Sequence, residues 1–255
     1  MAKGNIPFIH NYCDRWCERC TFTSRCSVFE SESETAPEQR DIKNKAFWER
    51  LSQNFSKAKD ALEEAAKRQG LNVEGLKNDI SAAENKMKEK KKEMNDHPVI
   101  KMAGEYTQFS HQWLQTQPGM LEKLEKLKEN LTLGTQSEKE AKDLTVMIKD
   151  SLAVIQWYST LIQPKLMRAL SGKIDEALWD FDDDDQRDYD GSAKIAIISI
   201  ERSMQAWSNL FEFLAEQEDD FLKALSLLER MKSATLKEFP NAMNFVRPGF
   251  DENLG

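Results

Sequence analysis

Four cysteines, Cys13, Cys17, Cys20 and Cys26, lie within the first 26 residues of a 255-residue chain, and no other cysteine follows. Spaced C-x3-C-x2-C-x5-C, they are close enough for their sulfurs to converge on one centre. Thiolates are soft donors, so the chemistry on offer is ligation of a metal ion or an iron–sulfur cluster. A [4Fe-4S] cube needs four ligands, which a short looping segment can supply by wrapping it. Structural zinc more often takes two pairs joined by a long excursion, and none separates Cys13, Cys17 and Cys20. The spacing therefore places a [4Fe-4S] cluster ahead of zinc, with disulfides or uncommitted thiols behind both.

The surrounding residues suit a thiolate centre without choosing its metal. Lys3, Arg15, Arg19 and Arg25 outnumber Asp14 and Glu18 over residues 1–29, although the whole chain carries −8. Either metal in a four-thiolate cage leaves net negative charge, which nearby cations stabilise. Phe8, Tyr12, Trp16, Phe22 and Phe29 are interleaved with the thiols and could dock the segment or shield a centre from water. His10 is a possible substitute ligand, but sulfur already fills four positions, so it reads as a docking or surface histidine.

Two family resemblances are carried by these residues. Cys13, Cys17 and Cys20 match the C-x3-C-x2-C loop of radical S-adenosylmethionine enzymes. That family implies a β/α barrel and a glycine-rich methionine-binding segment, for which this chain has no counterpart, and Arg19 stands where the motif usually has an aromatic. Separately, Cys17-x2-Cys20-x5-Cys26 with an upstream cysteine resembles the ligand pattern of WhiB-like iron–sulfur regulators. That similarity spans about ten residues of ligand spacing, and the family's turn motif and basic tail are missing. What it implies is four-cysteine cluster ligation alone.

Most of the chain must serve as the support for this segment. Hydrophobic residues make up 40% and charged residues 31%, with 10 Gly and 7 Pro, a balance that suits long helices. Residues 1–30 read as the metal-binding segment, and 31–42, Ser31 to Ile42, as a linker with little to bury. A helical bundle is expected over 43–238. The first helix, about 43–69, sets Phe47, Leu51, Phe55, Ala58, Leu62, Ala65 and Ala66 on one face, and Gly70 ends it. A second is expected over 74–95, a third from Pro98 to Pro118, and a short segment over 120–131. Ser137 and Glu140 make a capping box for a helix over 138–163, which Pro164 should kink or restart. Gly191-Ser192 opens an apolar helix, and another follows over 219–237. Residues 239–255 lack a period and read as an irregular tail. No stretch alternates as a strand does, so the fold class is all-α, a bundle of at least four long helices.

Other constellations read as structural. Residues 175–190 hold nine acids against one base, but an EF-hand register puts Gln186 first and Ile197 last, without the bidentate Glu. A di-iron bundle oxidoreductase would need Glu-x-x-His pairs, yet Met94 and Gln108 precede His97 and His111 by three residues. Glu105 and Glu201 beside apolar seams call for a basic partner instead. No phosphate loop or nucleophile elbow occurs, so catalysis is not the expected work. The acidic balance disfavours nucleic acid, and no segment reaches the ~20 apolar residues of a membrane span. Without the apolar core of a signal peptide near Met1, a cytoplasmic location is expected. The leading expectation is electron transfer or redox sensing with a protein partner; the competing one is an interaction scaffold stapled by zinc.

Overall fold

The computed structural model describes residues 4–68, 87–116, 137–178, 186–211 and 213–251. Helices dominate, and no strand occurs among the described residues. Six are α1 (Ser27–Ser33), α2 (Lys45–Arg68), α3 (Pro98–Gln115), α4 (Glu138–Leu178), α5 (Asp188–Phe211) and α6 (Glu218–Glu238); residues 87–96 are also helical. The expected segment at 120–131 lies outside the described residues, as does most of 74–95. None of the described helices is long and apolar enough to cross a membrane.

Two compact units divide the chain. Residues 1–10, 15–91 and 253–255 form one; residues 11–14 and 92–252 form the other. The boundary between 91 and 92 falls within the span that sequence patterning assigned to one bundle.

In the second unit, α3, α4, α5 and α6 pack in a closed ring, each against two neighbours. Local chemistry starts each helix. His97 Nδ1 accepts from the Val99 amide (3.3 Å), and Pro98 occupies the first turn of α3, where a missing donor costs nothing. The capping box holds: Ser137 Oγ accepts from the Glu140 amide (3.2 Å), and Glu140 Oε2 from the Ser137 amide (3.4 Å). Asp188 and Asp190 start α5, three residues earlier than Gly191 suggested, and Glu218, Asp219 and Asp220 start α6. Acids there complement the helix dipole.

Pro164 neither ends nor restarts α4, which runs through it for 41 residues. An interior proline costs about 3 kcal/mol. Ile162 and Leu166, fully buried on either side, offset that cost by removing apolar surface from water. The core centres on Trp207, whose indole donates to Tyr106 Oη (3.1 Å) and lies 4.6 Å from Trp113 and 5.5 Å from Phe221 between ring centroids.

The tail is irregular in secondary structure yet held in place. Phe239, Ala242 and Phe245 are buried, and the Ala242–Asn244 turn packs on α5. Lys194 donates to Phe245 O (2.7 Å) and to Asp251 Oδ2 (2.8 Å), while Arg247 grips both Asp251 oxygens. Burial alone would raise the Asp251 pKa, but hydrogen bonds from Arg247 and Lys194 win and hold it well below the usual carboxylate range. A depressed folded pKa adds stability above the unfolded value of about 4, lost as pH falls further. Asp251→Asn should therefore cost about 1–3 kcal/mol at neutral pH. Denaturant titrations should show wild type and variant converging below about pH 4; a constant gap would contradict the assignment.

One glycine is required by close approach. A Cβ on Gly191 would sit 2.5 Å from Tyr12 Cε1 and 2.7 Å from Phe245 Cζ. Those rings pack 4.6 Å apart and cannot yield independently. Gly→Ala inside a helix ordinarily gains about 0.5–1 kcal/mol. Here overpacking should reverse the sign, with Gly191→Ala losing about 1–3 kcal/mol in a denaturant titration. A stabilised variant would show that the rings have room.

Candidate metal centre

Cys17, Cys20 and Cys26 lie on short turns of the first unit. Cys17–Arg19 forms one turn of 3-10 helix, closed by the Cys20 amide donating to Cys17 O at 3.1 Å. The chain then bends so that the Phe22 amide donates to Cys20 Sγ at 3.4 Å. A second 3-10 turn, Thr23–Arg25, ends with the Cys26 amide on Thr23 O (3.3 Å), and Cys26 leads directly into α1. The preceding loop is tied to these turns: Ile6 N donates to Arg25 O (2.9 Å), Arg25 Nε to Gly4 O (3.3 Å), and Asn5 Nδ2 to Glu30 (2.9 Å). Arg19 stacks over Trp16 at 3.7 Å, which keeps a cation beside the Cys17–Cys20 turn. Arg15 takes a φ of 58°, rare for a side chain with Cβ, at the bend between Cys13 and Cys17.

The linker expected over 31–42 is more ordered than its composition suggests. α1 covers its first residues, and Pro37–Gln39 forms a 3-10 turn. Hydroxyls make the difference: Ser33 donates to Glu30 O (2.7 Å) and the buried Thr35 to Ser31 O (2.8 Å), so backbone acceptors find partners within the segment.

Cys13 belongs to the short strap Asn11–Asp14 in the second unit. The strap is pinned by polar contacts to α4 and α5. Trp157 donates to Asp14 O (2.9 Å), while Tyr158 Oη (2.8 Å) and Arg202 (2.7 Å) both donate to Asp14 Oδ2. Lys165 and Arg168 donate to Asn11 O at 3.1 and 3.3 Å. Tyr12 and Arg168 each donate to Asp188 Oδ1 at 2.8 Å. Burial is the leading reason the Tyr158 phenol is pushed up to about 12; Asp14 adds to it and Arg202 opposes it. Tyr12 is raised further still, by burial and by Asp188. Both phenols therefore stay protonated donors at neutral pH.

All four cysteines are half-buried, and none is in a disulfide. Among the described residues, no group of three or more His, Cys, Asp or Glu side chains is gathered to hold a metal ion. The fit to a metal is thus local: a Cys-x2-Cys turn with an amide aimed at sulfur. Backbone N–H donors to sulfur set the electronics of a bound metal.

The residues weighed for other chemistry are deployed structurally. His97 caps α3, and its Nε2 lies 3.5 Å from Glu238; His111 is exposed. Glu105 is exposed and Glu201 pairs with Lys232 at 2.8 Å, the basic partner its position required. Asp188 and Asp190, read as loop acids, lie inside α5, and 179–185 fall outside the described residues. The strap's partners were not legible, because Asp14 meets Tyr158 and Arg202 across 144 and 188 residues of sequence. Compared with family models, curated proteins and solved structures, the chain matches none.

Proposed function

We propose that Cys13, Cys17, Cys20 and Cys26 hold a [4Fe-4S] cluster and that the protein works in electron transfer or redox sensing with a protein partner. The observation that carries this reading is the Cys17–Cys20 turn, with the Phe22 amide donating to Cys20 Sγ. A neutral cysteine gains little from such a donor, whereas a metal-bound thiolate gains a charge-assisted hydrogen bond. When bound, a cluster of this kind supplies one-electron exchange. The chain's own contribution is to present sulfur from short turns, set Arg19 beside them, and hold the Cys13 strap against α4 and α5 through Asp14. Closing the ligand set is then coupled to ordering of the segment, as is general for metal sites built on short chains.

Anaerobic purification tests the reading. The expected product is brown, with about four iron and four sulfide per chain and absorption near ~400 nm that bleaches on reduction and returns on oxidation. A colourless protein with one zinc per chain would replace the redox reading with a structural staple.

A further inference from the structure

The strap that carries Cys13 also touches the tail at the far end of the sequence. Tyr12 joins the two. Its hydroxyl donates to Asp188 at 2.8 Å, and its ring packs on Phe245, 4.6 Å between centroids. Gly191, in the first turn of α5, lies against both rings: a Cβ there would meet one at 2.5 Å and the other at 2.7 Å. Strap and tail therefore share one seat on α5.

The strap is held in a way that permits release. None of its four residues is fully buried, and its hold on the helices is mainly polar. Asp14 accepts from Tyr158 and Arg202, and Asn11 O accepts from Lys165 and Arg168. Among the described residues, only Phe8 and Arg15 combine a side chain with left-handed backbone, φ 59° and 58°, and they bracket the strap. That conformation is costly for a residue with a Cβ and persists only where surrounding contacts impose it. Undocking lets this backbone relax.

The tail has holds of two kinds. Lys194 grips Phe245 O, Lys194 and Arg247 grip Asp251, and Gln186 Oε1 accepts from the Val246 amide. Those bonds do not involve the strap. What the strap adds is the ring that covers Phe245 above a glycine with no side chain to do so. With Tyr12 withdrawn, Phe245 keeps its packing only by shifting, and the neighbouring Val246 amide shifts with it.

We propose that the Asn11–Asp14 strap is a relay through which the state of Cys13 sets the order of the tail. Cys13 stands between Asp14, which docks the strap, and Tyr12, which steadies Phe245, so a ligand bond at its sulfur restrains both neighbours at once. That ligand half rests on the metal reading above; the strap-to-tail half does not. Coupling of this kind is reciprocal: what docks the strap protects the tail, and a firmly held tail favours the docked strap.

Hydrogen–deuterium exchange of the full chain tests both halves, read at the Phe245 and Val246 amides with Phe221–Met231 of α6 as reference. Asp14→Ala should speed tail exchange at least about tenfold, with the reference and the circular dichroism unchanged. Arg202→Gln, which removes one clamp donor from the surface, should act in the same direction. Tyr12→Leu should also speed it, and Asp14→Ala should then add little, because both cut the same route. Loading the metal-free chain with iron and sulfide should slow tail exchange, and Tyr12→Leu should abolish that response. A tail indifferent to Asp14→Ala and Arg202→Gln would overturn the relay. So would effects of Asp14→Ala and Tyr12→Leu that simply multiply, or iron uptake with an unmoved tail. Failure to take up iron would sink the cluster reading instead, and the strap-to-tail half then stands or falls on the variants alone.

Discussion

Replacing Trp207 with Ala should remove about 3–5 kcal/mol from the stability of the second unit. The indole is fully buried and stacks within 6 Å of Phe109, Trp113 and Phe221, from α3 and α6. Truncation forfeits those contacts and leaves a cavity that three surrounding rings cannot collapse into without losing their own packing. It also removes the donor to Tyr106 Oη, a buried phenol. Trp207→Phe keeps most of the volume and should lose much less, and the difference between the two variants measures the cavity. Urea denaturation followed by circular dichroism reads both. A loss below about 1 kcal/mol for the Ala variant would mean this residue is not the centre of the core.

Replacing all four cysteines with Ser should abolish the iron content and the visible absorption of anaerobically purified protein. Serine keeps size and hydrogen bonding but not the soft donor that iron and zinc both require. The loss should be all-or-none, while the denaturation midpoint of the helical ring falls far less than in the Trp207→Ala variant. None of the four side chains is part of that buried core. Iron retained in the four-serine protein would move the metal into the helices and sink the cysteine reading. Single substitutions should rank by local geometry. Cys20→Ser, which exchanges the sulfur that accepts the Phe22 amide, should perturb the spectrum at least as much as any other.

Helix identity was largely written in local pattern. The capping box at Ser137 and Glu140, the Pro98 start, and the buried stripe Ile148, Ile155 and Tyr158 all follow from period and end chemistry, which act within a few residues. The fate of Pro164 was not legible, because its cost is local while the burial that offsets it comes from packed neighbours. The stripe on α2 shows the converse limit: periodicity identifies an apolar face but not what covers it.

The candidate site divides in the same way. Sequence alone determined that four thiols occur close together, near cations and aromatics, because ligand type and spacing are properties of the chain. Only the tertiary structure decided that the Phe22 amide points at Cys20 sulfur and that Asp14 is clamped by Tyr158 and Arg202. It also decided that a patternless tail is held by Lys194 and Arg247 through Asp251. The Asp14 and Lys194 contacts join residues far apart along the chain and exist only once folding has brought their elements together. The Phe22–Cys20 contact, by contrast, is a local turn whose geometry spacing alone does not specify.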